Sequence, residues 1–194
     1  MMPLSLREET ALLVGDYLER RVGLAPAGRA PGRAGETLRR VADELERRER
    51  HFFRCAAASA LPETGGQVEA AALVWRVAAQ MEEEAGGGGG GGLNWGRVVA
   101  LVVFAGNVAV ALAERGQGPA QGQATREGLS EALAAYLAEE KRAWMVEHGG
   151  WDGFYHFFNK HGSNATDHNS TISNAIMAAA GFGLAGLAFL LAVR

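Results

Sequence analysis

A single cation interrupts the most apolar stretch of this 194-residue sequence. Residues 94–113 are mostly Val, Ala, Leu and Gly, and Arg97 is their only charged residue. A helix that is apolar on all sides is surrounded by other helices, so we expect the Arg97 side chain to be largely removed from water. A buried guanidinium needs an anion, and its planar fork holds a carboxylate through two hydrogen bonds. Arg97 is therefore the strongest candidate for a binding residue.

The spacing around Arg97 places it on one helical face. Steps of three, four and three positions put these residues along a single stripe: Asn94, Arg97, Leu101 and Phe104. An acidic residue of the same chain, such as Asp43 or Glu44, is one source of the anion. A carboxylate from a bound molecule is the other, and spacing alone favours neither.

The rest of the sequence lacks patterns typical of an enzyme, a metal site or a cofactor site. Cys55 has no evident base nearby, so we expect a half-buried apolar residue rather than a nucleophile. The glycine run 86–92 predicts a flexible spacer and not a phosphate loop, because no strand precedes it and no Lys-Ser or Lys-Thr follows. The five histidines lack the i, i+4 pairing and carboxylate neighbours of a zinc site: His51, His148, His156, His161 and His168. We therefore expect no catalytic residue, no metal and no cofactor.

Charge and cysteine content exclude further classes of protein. Nineteen basic and 22 acidic residues give a formal charge of −3, which does not favour nucleic acid as a partner. The single cysteine cannot form an internal disulfide, and the first residues contain no apolar signal core. We expect a chain made in the cytosol.

The elements that position these residues are all predicted to be helices. Apolar residues recur at spacings of three and four, and no stretch has the alternation of a half-buried strand. In the predicted bundle, amphipathic helices surround the apolar helix 94–113. The six predicted helices have these approximate bounds: 4–21, 36–53, 68–84, 94–113, 125–148 and 151–160. The predicted fold class is all-α, with a central apolar helix in a helical bundle over residues 1–162.

The C-terminal segment predicts a membrane anchor. No charge occurs from Asn169 to Val193, and at about 1.5 Å per residue the segment 175–193 approaches the roughly 30 Å of a bilayer core. We interpret residues 163–170 as a linker and 171–194 as a transmembrane helix that keeps the body on the cytosolic side. The alternative is a buried helix of a larger bundle. Gly181 and Ala185 are spaced for close approach of two such helices.

Two short motifs are specific enough to indicate a family. The sequence Asn94-Trp95-Gly96-Arg97 resembles the first homology region of the Bcl-2 family of apoptosis regulators. The sequence from Gly149 to Phe154, GGWDGF, resembles the second. A third stretch, from Leu38 to Asp43, is similar to the family's Leu-x-x-x-small-Asp helix, with Ala42 in place of the commoner Gly. Together with the apolar tail, the resemblance covers essentially the whole chain and is greatest to survival-promoting members, in particular the Bcl-2-like-ten branch and its viral copies.

The resemblance implies a function and a set of binding residues. Members of this family bind the amphipathic death-signal helix of a pro-apoptotic partner in a groove. By that likeness Arg97 would clamp the Asp of the incoming helix, Asn94 would add a hydrogen bond, and Gly96 would leave room for the partner's backbone. The implied apolar contacts are Leu45, Phe52, Phe53, Val77, Met81, Ala100, Leu101 and Phe104. Each of them fits a core face equally well, because core and groove share the helical period.

The implied outcome is inhibition of apoptosis. By heterodimerising with pro-apoptotic family members, the protein would prevent permeabilisation of the mitochondrial outer membrane. The expected location is the cytosolic face of that membrane, with the endoplasmic reticulum as a second candidate. Two alternatives stay open: a pore-forming, pro-apoptotic member of the same family, and a tail-anchored adaptor without a groove.

Overall fold

The computed structural model describes residues 4–24, 30–62, 66–83 and 92–160. Within these ranges the chain forms helices and connecting turns, and no strand is present. A π-helical turn, Tyr136–Glu140, follows α5. The α-helices are α1 (Leu6–Arg21), α2 (Gly32–Ala60), α3 (Gln67–Glu83), α4 (Trp95–Glu114), α5 (Pro119–Ala135), α6 (Arg142–Glu147) and α7 (Gly150–Lys160). The predicted all-α class is confirmed, and the predicted tail at 171–194 lies outside the described residues.

Helix α4 is the centre of the bundle. Sixteen of its 20 residues are buried, and α1, α2, α3 and α5 all pack against it. Among the described residues it is the one helix long and apolar enough to cross a membrane, but most of that span is covered by its neighbours. Its composition therefore reflects its position in the core, as the sequence predicted.

Helix α1 is capped at its first turn and held by contacts with α7 and α4. Ser5 caps its first turn in a capping box with Glu8, which satisfies two backbone donors that a helix end leaves unpaired. Farther along, the buried indole of Trp151 donates to the Thr10 hydroxyl at 2.8 Å, joining α7 to α1. The Tyr17 ring fills the space beside Gly106 of α4, where a Cβ would lie 2.8 Å from a ring carbon.

Two helices differ from their predicted bounds. Helix α2 extends to Ala60 and bends at Glu49, whose backbone leaves the helical region at φ −111° and ψ 23°. The predicted 125–148 helix begins earlier, at Pro119, because proline at the first helical position is pre-organised for a helix. It is then interrupted by the π-helical turn before α6 begins.

Candidate functional site

The first turn of α4 is organised by Asn94. This residue has extended backbone angles, and its Oδ1 accepts the Arg97 backbone N–H at 2.9 Å. It is therefore the N-cap of the central helix, a role that asparagine fills well. From its sequence context, Asn94 was expected only to hydrogen-bond a partner. In the structure Oδ1 serves the cap, and Nδ2 makes no hydrogen bond to another described residue.

The Arg97 side chain is buried against the chain that precedes its helix. The residue is only 5% exposed, and its Nη1 donates to the Gly92 carbonyl. Its Nε is buried without a hydrogen-bond partner. A neutral carbonyl balances no charge, and a buried donor without a partner is costly. The guanidinium therefore retains unused capacity for an anion.

The two acidic residues that the sequence offered as internal partners are engaged elsewhere. The Asp43 carboxylate accepts a hydrogen bond from Arg20 of α1 at 2.8 Å, and the Glu44 carboxylate accepts one from Arg47, one turn farther along α2. Within the part of the chain that the structure describes, no carboxylate lies within ion-pair distance of Arg97. The internal ion pairs of Arg97 with Asp43 or Glu44 are thus not formed.

The predicted apolar contacts belong to the hydrophobic core of the bundle. Phe52 is partly buried against the core. The other seven are fully part of it: Leu45, Phe53, Val77, Met81, Ala100, Leu101 and Phe104. They stay predictions for a binding site, because a core face and a closed groove bury the same side chains. Gly96 is likewise buried, in the first turn of α4.

Helices α2, α3 and α4 carry these residues. Helices α2 and α3 both pack on α4, yet they make almost no contact with each other. Helix α3 packs mainly on α5 instead.

Sequence reasoning missed an aromatic cluster that joins the two motifs. The Trp95 ring lies edge-on to Trp144, with centroids 4.7 Å apart, and to Phe154, at 5.4 Å. Trp151 of the second motif lies 6.4 Å from the Trp95 ring. The sequence shows one tryptophan in each motif, but only the fold shows that Trp95 and Trp151 lie in one cluster. This cluster fixes the start of α4, and with it the position of Arg97.

The glycines of the second motif have separate roles. Gly149 and Gly150 adopt left-handed backbone angles, with φ of +76° and +58°, and turn the chain from α6 into α7. Gly153 allows a close backbone approach, because a Cβ there would lie 1.7 Å from the His148 carbonyl oxygen.

Cys55 corrects one expectation. The sequence predicted a half-buried apolar residue with no base nearby, but Cys55 is exposed and its Sγ lies 3.6 Å from Nε2 of His51. The two residues are four positions apart on α2, so they share its outer face. Among the described residues, no group of three or more His, Cys, Asp or Glu side chains is placed to hold a metal ion.

Comparison with known proteins gives a consistent set of relatives. The family model for apoptosis regulator proteins of the Bcl-2 family matches residues 38–151. The anti-apoptotic protein NR13 of Gallus gallus is 58% identical over 195 residues and is covered in full, as is this chain. Bcl-2-like protein 10 of Homo sapiens is 34% identical, over 79% of this chain and 76% of its own.

A solved structure extends the likeness to the fold. The zebrafish pro-survival protein NRZ, in complex with the Bad BH3 segment, superposes with a TM-score of 0.65 and 35% identity. The match covers 79% of this chain and 94% of NRZ.

Proposed function

This chain belongs to the Bcl-2 family of apoptosis regulators as an anti-apoptotic member, and we propose that it sequesters the BH3 helix of pro-apoptotic relatives in a groove over α4. Members of this family are regulators and not enzymes. Inhibition would follow by mass action, because a BH3 helix that is held by this protein is withdrawn from the proteins that permeabilise membranes.

One observation carries the proposal: the state of Arg97. The residue is 5% exposed, its Nε has no hydrogen-bond partner, and no acidic residue among those described pairs with it. A charge in that position is stabilised by an anion that arrives with a ligand, and an aspartate on an amphipathic helix supplies one. The carboxylate would replace the Gly92 carbonyl at Nη1 and also engage Nε. The free Nδ2 of Asn94 lies on the same turn and would donate to the same helix.

The apolar part of the binding energy would come from the helices around Arg97. Desolvated apolar side chains dominate helix-in-groove affinity, and rim charges contribute little. The partner's apolar stripe would lie between α2 and α3 and rest on Ala100, Leu101 and Phe104 of α4. The NRZ complex supports this mode, since a BH3 segment is bound there by a relative with the same fold.

We propose that this binding takes place at the mitochondrial outer membrane, with residues 171–194 as the anchor and the bundle on the cytosolic side. The support is the uncharged, apolar composition of that segment, whose length matches a bilayer core. Sequestration there would prevent permeabilisation of the membrane.

Calorimetry of the full chain with a Bad BH3 peptide tests the groove. For Arg97→Ala we expect an affinity loss of about 2–5 kcal/mol, which is about 30- to 5000-fold in Kd, because the peptide's aspartate would be left buried and unpaired. Arg126→Ala is the matched control, since Arg126 lies on α5 beside α1 and should leave Kd unchanged. Equal Kd values for the folded Arg97→Ala variant and the unaltered chain would refute the groove.

A liposome-release assay tests the direction of the effect. We expect the protein to suppress dye release by an activated pore-forming relative, and Arg97→Ala to suppress it less. Release caused by this chain alone would identify a pro-apoptotic member instead.

A further inference from the structure

A second cleft lies away from the candidate groove, between the later half of α2 and the C-terminal half of α4. Its volume is about 650 Å³. None of the predicted groove residues lines it. The lining side chains that matter here are Arg50, His51, Arg54 and Cys55 of α2, and Asn107 and Glu114 of α4.

The cleft contains the only cysteine of the chain. Cys55 is exposed, and its Sγ lies 3.6 Å from Nε2 of His51, which is within hydrogen-bonding range for sulfur. A thiol reacts as its thiolate, so a neighbouring ring nitrogen that accepts the proton provides the first requirement for a nucleophile.

The same cleft offers cations to an anionic ligand. Arg54 forms an ion pair with Glu114 at 3.2 Å in which both side chains are more than half exposed, and such surface pairs contribute little. Arg50 is exposed and makes no hydrogen bond or ion pair to another described residue. Both guanidinium groups can therefore turn toward carboxylates bound next to Cys55.

The wall of the cleft also holds an unused acceptor. Asn107 is 2% exposed, and its Nδ2 donates to the Val103 carbonyl at 2.9 Å. Its Oδ1 has no hydrogen-bond partner, although buried polar atoms are normally paired. An acceptor here suits a ligand that brings an N–H as well as negative charge. Glu114 at the rim adds a site for an ammonium group.

We propose that this cleft recognises an acidic peptide disulfide, glutathione disulfide, and that Cys55 is a site of S-glutathionylation. The tripeptide has two carboxylates for Arg50 and Arg54, an ammonium group for Glu114 and amide N–H groups for Asn107. Its arrangement of charges is thus complementary to the lining of the cleft.

The reaction is a thiol–disulfide exchange. Cys55 transfers its proton to His51, and the Cys55 thiolate attacks one sulfur of glutathione disulfide. A new S–S bond joins Cys55 to one glutathione unit as the original S–S bond breaks. The other unit leaves with the electron pair as a thiolate and takes up the proton from His51. The disulfide is the oxidant, and one glutathione is the reduced product.

Competing small disulfides test recognition on the full chain, with intact mass as the readout. We expect glutathione disulfide to modify Cys55 faster than the uncharged 2-hydroxyethyl disulfide does. The double variant Arg50→Gln with Arg54→Gln should slow the first reaction about five- to tenfold and leave the second unchanged, because each exposed arginine–carboxylate contact contributes modestly. His51→Gln should slow both reactions.

Arg126→Gln is the matched control and should alter neither rate, since Arg126 lies on another face of the bundle. The proposal is overturned if the two disulfides react at equal rates, or if the double arginine variant keeps the unaltered preference for glutathione disulfide. These outcomes are independent of BH3 binding, because the readout involves neither Arg97 nor a helical partner.

Discussion

Arg97 and Asn94 make different hydrogen bonds at the start of α4. The asparagine oxygen completes the helix cap, while the arginine reaches back to the Gly92 carbonyl and keeps Nε unpaired. A substitution at Asn94 would therefore disturb the helix as well as the ligand, whereas one at Arg97 mainly affects the ligand. Arg97 is the residue at which binding and stability can be separated.

A substitution at the neighbouring Gly96 should also affect ligand binding without affecting stability. We expect Gly96→Ala to weaken BH3 peptide binding about 5- to 100-fold, because an added methyl would occupy the space of the partner's backbone. Alanine is the better helix former, so the Tm should not fall. Titration calorimetry and thermal melts measure the two effects. Gly106→Ala on the same helix provides the contrast, since its methyl would meet the Tyr17 ring and lower the Tm. Parallel losses of binding and Tm at Gly96 would indicate a core role.

Glu44 predicts a pH dependence of stability. Hydrogen bonds from Arg47 and then Arg48 lower the pKa of the Glu44 carboxyl below its ordinary value of 4.5. A lowered pKa in the folded state stabilises the fold above the unfolded pKa, and this stabilisation is lost as the pH falls through the folded pKa. Urea titrations from neutral pH down to about pH 3 should show a smaller acid loss for Glu44→Gln than for the unaltered chain. An identical acid loss in both would contradict the assignment.

At the scale of elements, the ends of helices determine the geometry of the site. The turn between α6 and α7 uses two left-handed glycines, and the next turn brings Trp151 against Trp95. Helix α7 thus holds α4 through aromatic contacts, and it holds α1 through the hydrogen bond to Thr10. The start of the central helix is fixed by elements distant in sequence.

The close packing at the turn between α6 and α7 makes the stability of the fold sensitive to substitution at Gly153. We expect Gly153→Ala to destabilise the fold by about 1–3 kcal/mol, because the new methyl would overlap the His148 carbonyl and displace α7. Urea unfolding measures the change. Gly15→Ala is the control, since a Cβ there would make an ordinary contact of 3.7 Å with Ser130. Its stability should be equal or slightly higher. A Gly153→Ala variant as stable as the control would be inconsistent with the close approach.

At the scale of the whole molecule, the two proposed binding surfaces lie on different parts of α2 and α4. One is the candidate groove at the start of α4, and the other is the arginine-lined cleft toward its end. The proposed anchor would attach both surfaces to a membrane.

Charges placed in the tail test this attachment. We expect the full chain with Leu184→Glu and Leu187→Glu to leave the membrane pellet, because each buried charge costs about 2–3 kcal/mol in a bilayer. Ser163→Glu with Ser170→Glu adds the same charge to the linker and should leave pelleting unchanged. Quantitative fractionation compares the three chains. Equal pelleting of the tail variant and the unaltered chain would argue against an anchor.

Much of the fold follows from local sequence. The 3.6-residue period of apolar side chains marks the helices, and a helix without a polar face has to be central, as α4 is. The motifs around Arg97 and Trp151 indicate the family before any contact is known. Helix bounds were less predictable. Helix α5 begins at Pro119, inside a stretch whose composition predicts a loop, and α2 continues past Phe53 to Ala60.

The partners of the polar side chains were decided only by tertiary structure. Asp43 pairs with Arg20 and not with Arg97, Cys55 faces His51 at the surface, and Trp95 meets Trp151, which is 56 positions later in the chain. Periodicity determines which face of a helix a residue occupies, but not which face of another helix is opposite. That choice depends on how all the helices pack together. The sequence therefore determined that Arg97 needs an anion, and the packing determined that no acidic residue of the described chain supplies it.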